Sequence, residues 1–247
     1  ELFLGDNKEE VHHSMLYPLF HGTWVDRMTI NRYCLKDAKL PLRITMKELI
    51  ITNSVEMCRT VGVPFCWLTE RGQQAKTRSI FMRNAGPAGF CVPTKPPKRT
   101  PYTGAIVLTP TPGFYTVPIV VLDFVSLYPS IMQAYNLCYS TFFWLKDAQR
   151  LGLRYPEDYV IPPGAEGSHG FVKPHIRRGL LPAILADILT RRKLAKTDMA
   201  NAKKAGNTQL AEIMDGRQLA LKITANSVYG YTSADQLPLT YIAAAVT

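Results

Sequence analysis

Apolar and polar positions recur at helical spacing from about residue 25 to residue 60, after a mixed stretch over residues 1–24. Ile30, Tyr33, Cys34 and Asp37 fall on one face of a helix read from about residue 25. Pro41 lacks an N–H and is expected to perturb that helix or restart it. A second run, with Leu49, Ile50, Val55, Met57 and Val61, predicts another helix that stops at Gly62. Beyond it, WLTERGQQAKTRSIFMRNA intersperses Arg71, Lys76, Arg78 and Arg83 with apolar positions. That stretch reads as one basic amphipathic helix, its charged face either solvated or tracking phosphates.

Residues 85–101 are rich in Pro, Gly and basic side chains and read as a linker or exposed loop. YTGAIVLTPTPGFY then reads as two short strands around a Pro-Gly turn. A β-branched segment, Val117 to Leu122, predicts a buried strand that delivers the chain to Asp123. A turn holding Ser126, Tyr128 and Pro129 follows, then a helix-like run from Ser130. Residues 141–176 read as loop. Two long helices, about 180–205 and onward to Gly230, are separated by Gly206 and Asn207 and make an αα-hairpin. No internal repeat is evident.

Composition narrows the class. The 247 residues are 47% hydrophobic and 19% charged, enough for one large core or two smaller ones. A formal charge of +10 fits either a basic soluble surface or a polyanionic partner. Cys34, Cys58, Cys66, Cys91 and Cys138 are odd in number and form no CxxC pair. They argue for a reducing compartment and against a zinc ribbon or a disulfide framework. No apolar run approaches the ~18 residues of a membrane span. The opening ELFLGDNKEE is acidic and lacks an initiator Met, and YIAAAVT ends in mid-pattern. Both are expected of a piece of a longer chain.

Three constellations carry candidate chemistry. A carboxylate at a strand exit, Asp123, followed by a tight turn of backbone N–H groups, suits a metal-bound triphosphate. Lys222, Asn226 and Tyr229 lie at i, i+4 and i+7, a polar stripe on an otherwise apolar helix. Arg191, Arg192, Lys193 and Lys196 make a basic cluster on the preceding helix, with Arg192 and Lys196 one turn apart. Such cations can neutralise a triphosphate and a neighbouring aromatic can stack on a base, although a solvated face is the commoner fate of a basic run. Tyr33 and Asp37 are helical neighbours able to enter one cleft; spacing alone favours a packed Tyr and an exposed Asp. His12 and His13 read as surface residues, since adjacent histidines rarely converge on one ion.

DFVSLYPSI (123–131) resembles the first polymerase motif of family B DNA polymerases. KITANSVYG (222–230) resembles their second, and YCLKD (33–37) their third exonuclease motif, all in the family's order. YTGA (102–105) is similar to the Tyr-x-Gly-Gly motif between exonuclease and polymerase modules, with Ala105 departing from the second Gly. EVHHSM, RGQQAKT, NLCYST, RRGLLPAIL and DGRQLALKITANSVYG are most similar to delta-type catalytic subunits and their large-DNA-virus relatives. The resemblance spans nearly the whole chain.

The resemblance implies an α+β fold: a palm with helical-hairpin fingers, preceded by the C-terminal part of an RNase H-like 3′–5′ exonuclease domain. Residues 1–62 would end that domain and 63–116 would connect it to the palm. Residues 117–176 would be palm, 177–230 the fingers and 231–247 the start of the return to the palm. Asp123 and the Phe124 carbonyl would bind Mg²⁺ in a two-metal site. The N–H groups around Ser126, Leu127 and Tyr128 would take phosphate oxygens, and Tyr128 would exclude a 2′-hydroxyl. Arg192, Lys196 and Lys222 would hold the triphosphate, with Lys222 assisting catalysis. Asn226 would position the nucleotide, and Tyr229 would pack on the nascent base pair. Asp37 would ligate a separate exonuclease metal, and Tyr33 would orient the attacking water.

The implied partners are primer–template DNA, dNTPs, a sliding clamp or processivity factor and accessory subunits, with no membrane. The implied compartment is the nucleus, or a viral replication compartment. Nothing here matches the family's third polymerase motif, Tyr-Gly-Asp-Thr-Asp, which supplies the partner carboxylate. The piece alone is therefore expected not to polymerise. Two rival readings are a polymerase-derived DNA-binding or replisome scaffold without catalysis, and a protein active only as a nuclease.

Overall fold

The computed structural model describes residues 4–92, 107–163 and 165–232. The chain divides into two compact units, Glu1–Val55 and Glu56–Thr247.

In the first unit, α1 (Leu16–His21) precedes the long α2 (Trp24–Lys47). Thr23 starts α2 with a capping box: the Asp26 N–H donates to Thr23 Oγ1 at 3.3 Å and the Thr23 N–H donates to Asp26 Oδ2 at 2.8 Å. Such a cap contributes about 1 kcal/mol. Contrary to expectation, α2 runs unbroken through Pro41. Within it, the Thr45 hydroxyl donates to the Pro41 carbonyl at 2.8 Å. The chain turns later, where Leu49 takes φ +48°. α3 (Ile50–Val61) follows and ends at Gly62, φ +70°, as its sequence predicts. The unit division falls inside α3. α2 buries none of its residues; Trp24, Met28, Leu35 and Met46 are exposed.

The second unit is mostly helical with one small sheet. The segment read as a single basic helix is two: α4 (Trp67–Glu70) and α5 (Gln73–Ala85), broken at Arg71–Gly72. Thr77, Ile80, Phe81 and Ala85 form the buried side of α5. α6 (Leu127–Ala134) packs against both members of a helical hairpin, α7 (Leu180–Lys204) and α8 (Thr208–Thr232). The hairpin turn uses Gly206 at φ +71°, and Asn207 Oδ1 accepts the Leu210 N–H at 3.0 Å. α8 does not stop at Gly230; its register continues through Thr232, because Val228, Tyr231 and Thr232 are buried.

The loop-like stretch 141–176 contains the sheet. β1 (Phe142–Trp144), β2 (Tyr159–Val160) and β3 (His169–Val172) pair antiparallel in the order β1-β3-β2, with Phe142 opposite Phe171 and Tyr159 opposite Val172. Its strands are too short to print a two-residue period. Phe171 of β3 enters the main core beside Met132, Leu137, Leu181, Leu185, Leu221 and Val228.

Residues 107–122 form no strand, while the expected strand that begins at Tyr102 falls in part on residues outside the described ones. Val120, Val121 and Leu122 are 80%, 84% and 91% exposed. A strand is held by ladder hydrogen bonds, and no partner strand lies beside this segment among the described residues. Tyr102–Ala105, read as a family motif, and residues 233–247 lie outside the described residues. No helix among the described residues is long and apolar enough to cross a membrane.

Candidate functional site

Asp123 and Phe124 end the extended apolar segment, both exposed to solvent. Ser126 then takes φ +55°, ψ +51°, a left-handed step that turns the chain into α6. The helix therefore starts at Leu127, three residues earlier than expected. Pro129 fits in its first turn, where no N–H is needed. The Ser130 N–H closes on the Ser126 carbonyl at 2.9 Å, and its hydroxyl donates to the Val125 carbonyl at 3.2 Å. No side chain caps this end. Backbone N–H groups of a helix's first turn have no acceptor in their own helix, and together with the helix dipole they suit an anion.

The hairpin presents its cations along one length. Arg192 reaches the Gln218 amide oxygen at 3.5 Å across the pair, which sets the register of α7 against α8. From that level, Lys222 lies about 6 Å further along α8 and Tyr229 about 16 Å, at 1.5 Å per residue. Lys196, Lys222 and Asn226 are exposed and Arg192 is half-buried. Arg191 is held on its own helix by Asp187, at 2.9 Å.

Two sequence motifs far apart in the chain meet here. The rings of Tyr128, in the first turn of α6, and Tyr229, near the end of α8, are stacked with centroids 4.2 Å apart and planes 3° from parallel. Packing of α6 on α8 makes the stack possible.

In the first unit, Tyr33 and Asp37 do share one side of α2. Lys8 joins them: its ammonium lies 3.1 Å from Asp37 Oδ2 and 5.3 Å from the Tyr33 ring centroid. The Asp37 carboxylate and the Tyr33 side chain together raise the Lys8 pKa above its ordinary value. Asp37 Oδ1 is buried and makes no hydrogen bond.

The donor set for a hard cation is right in kind and short in number. Asp123 and the Phe124 carbonyl are oxygen donors, but no group of three or more His, Cys, Asp or Glu able to hold a metal exists among the described residues. His12 and His13 are exposed, and His12 Nδ1 bonds Ser14.

Sequence reasoning missed Lys8, Asn136, Glu56 and Arg217. Glu56 is 4% exposed, yet it is the only acid in an otherwise ordinary helical turn. A buried position on a predicted helix face was its one available signal.

The model of DNA polymerase family B matches residues 63–247. The chain belongs to DNA polymerase family B. Among family members it is 47% identical over 249 residues to the DNA polymerase delta catalytic subunit of Schizosaccharomyces pombe, covering 99% of this chain and 22% of that protein. It is 46% identical over 248 residues to that of Mesocricetus auratus, again over 99% of this chain and 22% of the relative. A solved structure of the family B DNA polymerase from the hyperthermophilic archaeon Pyrobaculum calidifontis matches with a TM-score of 0.71 and 29% identity, over 94% of this chain and 29% of that one. The chain thus spans 22% of the length of these delta relatives. A family B fold, mostly helical with a small sheet, is the coarse architecture.

Proposed function

We propose that this chain is the nucleotide-selecting part of a delta-type DNA-directed DNA polymerase catalytic subunit. The single observation carrying this reading is the Tyr128–Tyr229 stack, which joins two family motifs separated by a hundred residues. In this reading residues 117–176 belong to the palm, the α7–α8 hairpin is the fingers, and residues 1–62 end a proofreading exonuclease domain.

The reaction adds a dNTP to a primer 3′-hydroxyl: that oxygen attacks the α-phosphate and pyrophosphate leaves. Arg192, Lys196 and Lys222 bind the triphosphate and offset the charge that gathers on the leaving group. The α6 N–H groups of Leu127 and Tyr128 hold phosphate oxygens, and Ser126 sets their turn. Tyr128 lies under the sugar and selects against a 2′-hydroxyl. Asn226 orients the nucleotide, and Tyr229 bears on the base pair, so its shape enters selection. Asp123 and the Phe124 carbonyl would be part of a Mg²⁺ ligand set completed by residues outside the described ones; Mg²⁺ there would supply charge neutralisation at the phosphates. Tyr33 and Asp37 serve 3′–5′ hydrolysis in the exonuclease part. Primer–template DNA, a sliding clamp, accessory subunits and a nuclear or viral replication setting follow from the delta-type reading.

Full-length enzyme carrying Asp123→Ala should lose primer extension and keep 3′–5′ digestion of a mismatched end. Asp37→Ala should do the reverse. Extension that survives Asp123→Ala removes Asp123 from the site. The 247-residue chain alone should extend no primer.

A further inference from the structure

α8 carries two stripes. The exposed Lys222 and Asn226 and the half-buried Tyr229 form one. Arg217, Leu221, Thr224 and Val228 form another, about 140° around the helix at 3.6 residues per turn. At two points along this second stripe, side chains of α3 reach α8. Glu56 of α3 is 4% exposed and receives two guanidinium groups. Arg217 Nε donates to its Oε2 at 2.7 Å, and Arg59 Nη1 donates to its Oε1 at 2.9 Å. Two turns further along α8, the Thr224 hydroxyl points at Met57 Sδ, 3.9 Å away. A cleft of ≈ 310 Å³ lies alongside, walled in part by Arg191 and Asp198 of α7. The Arg217 guanidinium holds the Glu56 carboxyl below its ordinary range, against the opposing effect of burial. The clamp is therefore ionised at neutral pH.

Burying a carboxylate costs hydration that an ion pair only partly offsets, and an apolar residue of similar volume would hold two helices together at least as well. An apolar contact, however, lets one helix roll or slide on another. One directed N–H···O bond, from Arg217, crosses between the helices, and the Arg59 bond, made within α3, holds the carboxylate in the orientation that receives it; a directed bond restricts rotation as well as distance. We propose that Glu56 is a positioning residue for the nucleotide-binding stripe of α8: its bridge to Arg217, with the carboxylate oriented from within α3 by Arg59, sets the rotation at which Lys222, Asn226 and Tyr229 face the α6 turn. The proposal rests on the polymerase reading above. Glu56 touches no substrate; it acts through Arg217, five residues before Lys222.

Full-length enzyme with Glu56→Gln is assayed by single-nucleotide insertion on a preformed primer–template. The variant keeps the side chain's shape, removes the charge and turns an amide N–H toward a guanidinium. The expected result is a KM for the incoming dNTP raised about tenfold with kcat changed less than about twofold, the pattern of weakened nucleotide binding. A merely structural role lowers the folded fraction, and so lowers kcat per total enzyme at unchanged KM; that result overturns the proposal. Glu56→Gln combined with Arg217→Lys should raise KM no further than the stronger single variant, while multiplicative effects show two independent residues and also overturn it. Should Glu56→Gln not fold, Glu56→Asp takes its place, with the charge kept, the reach shortened and the same two outcomes. Lys222→Ala separates the two levels of inference. An unchanged KM in Lys222→Ala means that the polymerase reading of the stripe has failed. A raised KM there with none in Glu56→Gln means that only the positioning role has failed.

Discussion

Asn136 sits at φ +54° and is 1% exposed, immediately after α6. Its amide nitrogen donates to the carbonyls of Val172 at 2.8 Å and Arg177 at 2.7 Å, while its amide oxygen accepts the Gly179 N–H at 2.8 Å. One side chain thus ties the end of α6 to β3 and to the start of α7. Gly179 has no room for a side chain there, because a Cβ would come within 2.8 Å of the Cys138 Cβ. Asn136→Ala removes three hydrogen bonds and puts alanine in a left-handed conformation, so it should cost about 3–4 kcal/mol in denaturant unfolding. Asn136→Asp should cost a comparable amount, since a carboxylate cannot donate to two carbonyls. This residue was invisible in the sequence, where NLCYS carried only family likeness. The chemistry of a buried Asn depends on which carbonyls arrive beside it, and those come from residues about forty positions away. Asp123, Tyr128, Lys222 and Tyr229 stand out in the sequence for the opposite reason: they sit in dense local patterns, and of these only the meeting of Tyr128 with Tyr229 is seen in the fold.

At the scale of elements, long helices were readable and short strands were not. The α7–α8 hairpin announced itself through length, periodicity and a Gly-Asn turn. Pro41 misled because a helix tolerates one lost hydrogen bond when the rest of a 24-residue run is intact. Val117–Leu122 misled because its β-branched composition describes what the segment fits, whereas a partner strand decides whether it forms. The junction of α3 with α8 carries a pH signature. The Glu56 pKa is lowered in the folded chain from its ordinary value of 4.5, chiefly by Arg217. Its stabilisation is therefore complete above the ordinary value and fades as pH falls through it toward the lowered one. The difference in Tm between the chain and Glu56→Gln should be constant above about pH 6 and shrink below about pH 4, with Glu56 protonated in both states at the acid limit. A difference that grows on acidification would contradict the clamp's ionisation.

For the molecule as a whole, the charge of +10 is the property a polyanion senses first. Arg71 and Arg78 flank an open cleft of ≈ 770 Å³ floored in part by Trp67 and Tyr231, and burial pushes the Tyr231 hydroxyl up to about 12. Lys196 and Lys222 stand exposed on the hairpin. Affinity of the chain for duplex DNA should fall at least about tenfold between 50 and 200 mM salt, as expected when several phosphates shed counterions. Fluorescence anisotropy across a salt series measures this, and a flat response would assign the basic surface to solubility alone.

The bare apolar segment before Asp123 has a consequence for handling the protein. Val117–Leu122 combines β-branched residues, no charge and an exposure that rises from 64% at Val117 to 91% at Leu122, features of an aggregation-prone window. Its gatekeepers are Pro118 within it and Asp123 at its end. The carboxylate assigned to chemistry thus also guards against intermolecular β-pairing. This chain carrying Asp123→Ala, expressed by itself, should be less soluble than the chain that keeps Asp123, as sedimentation of the lysate would measure.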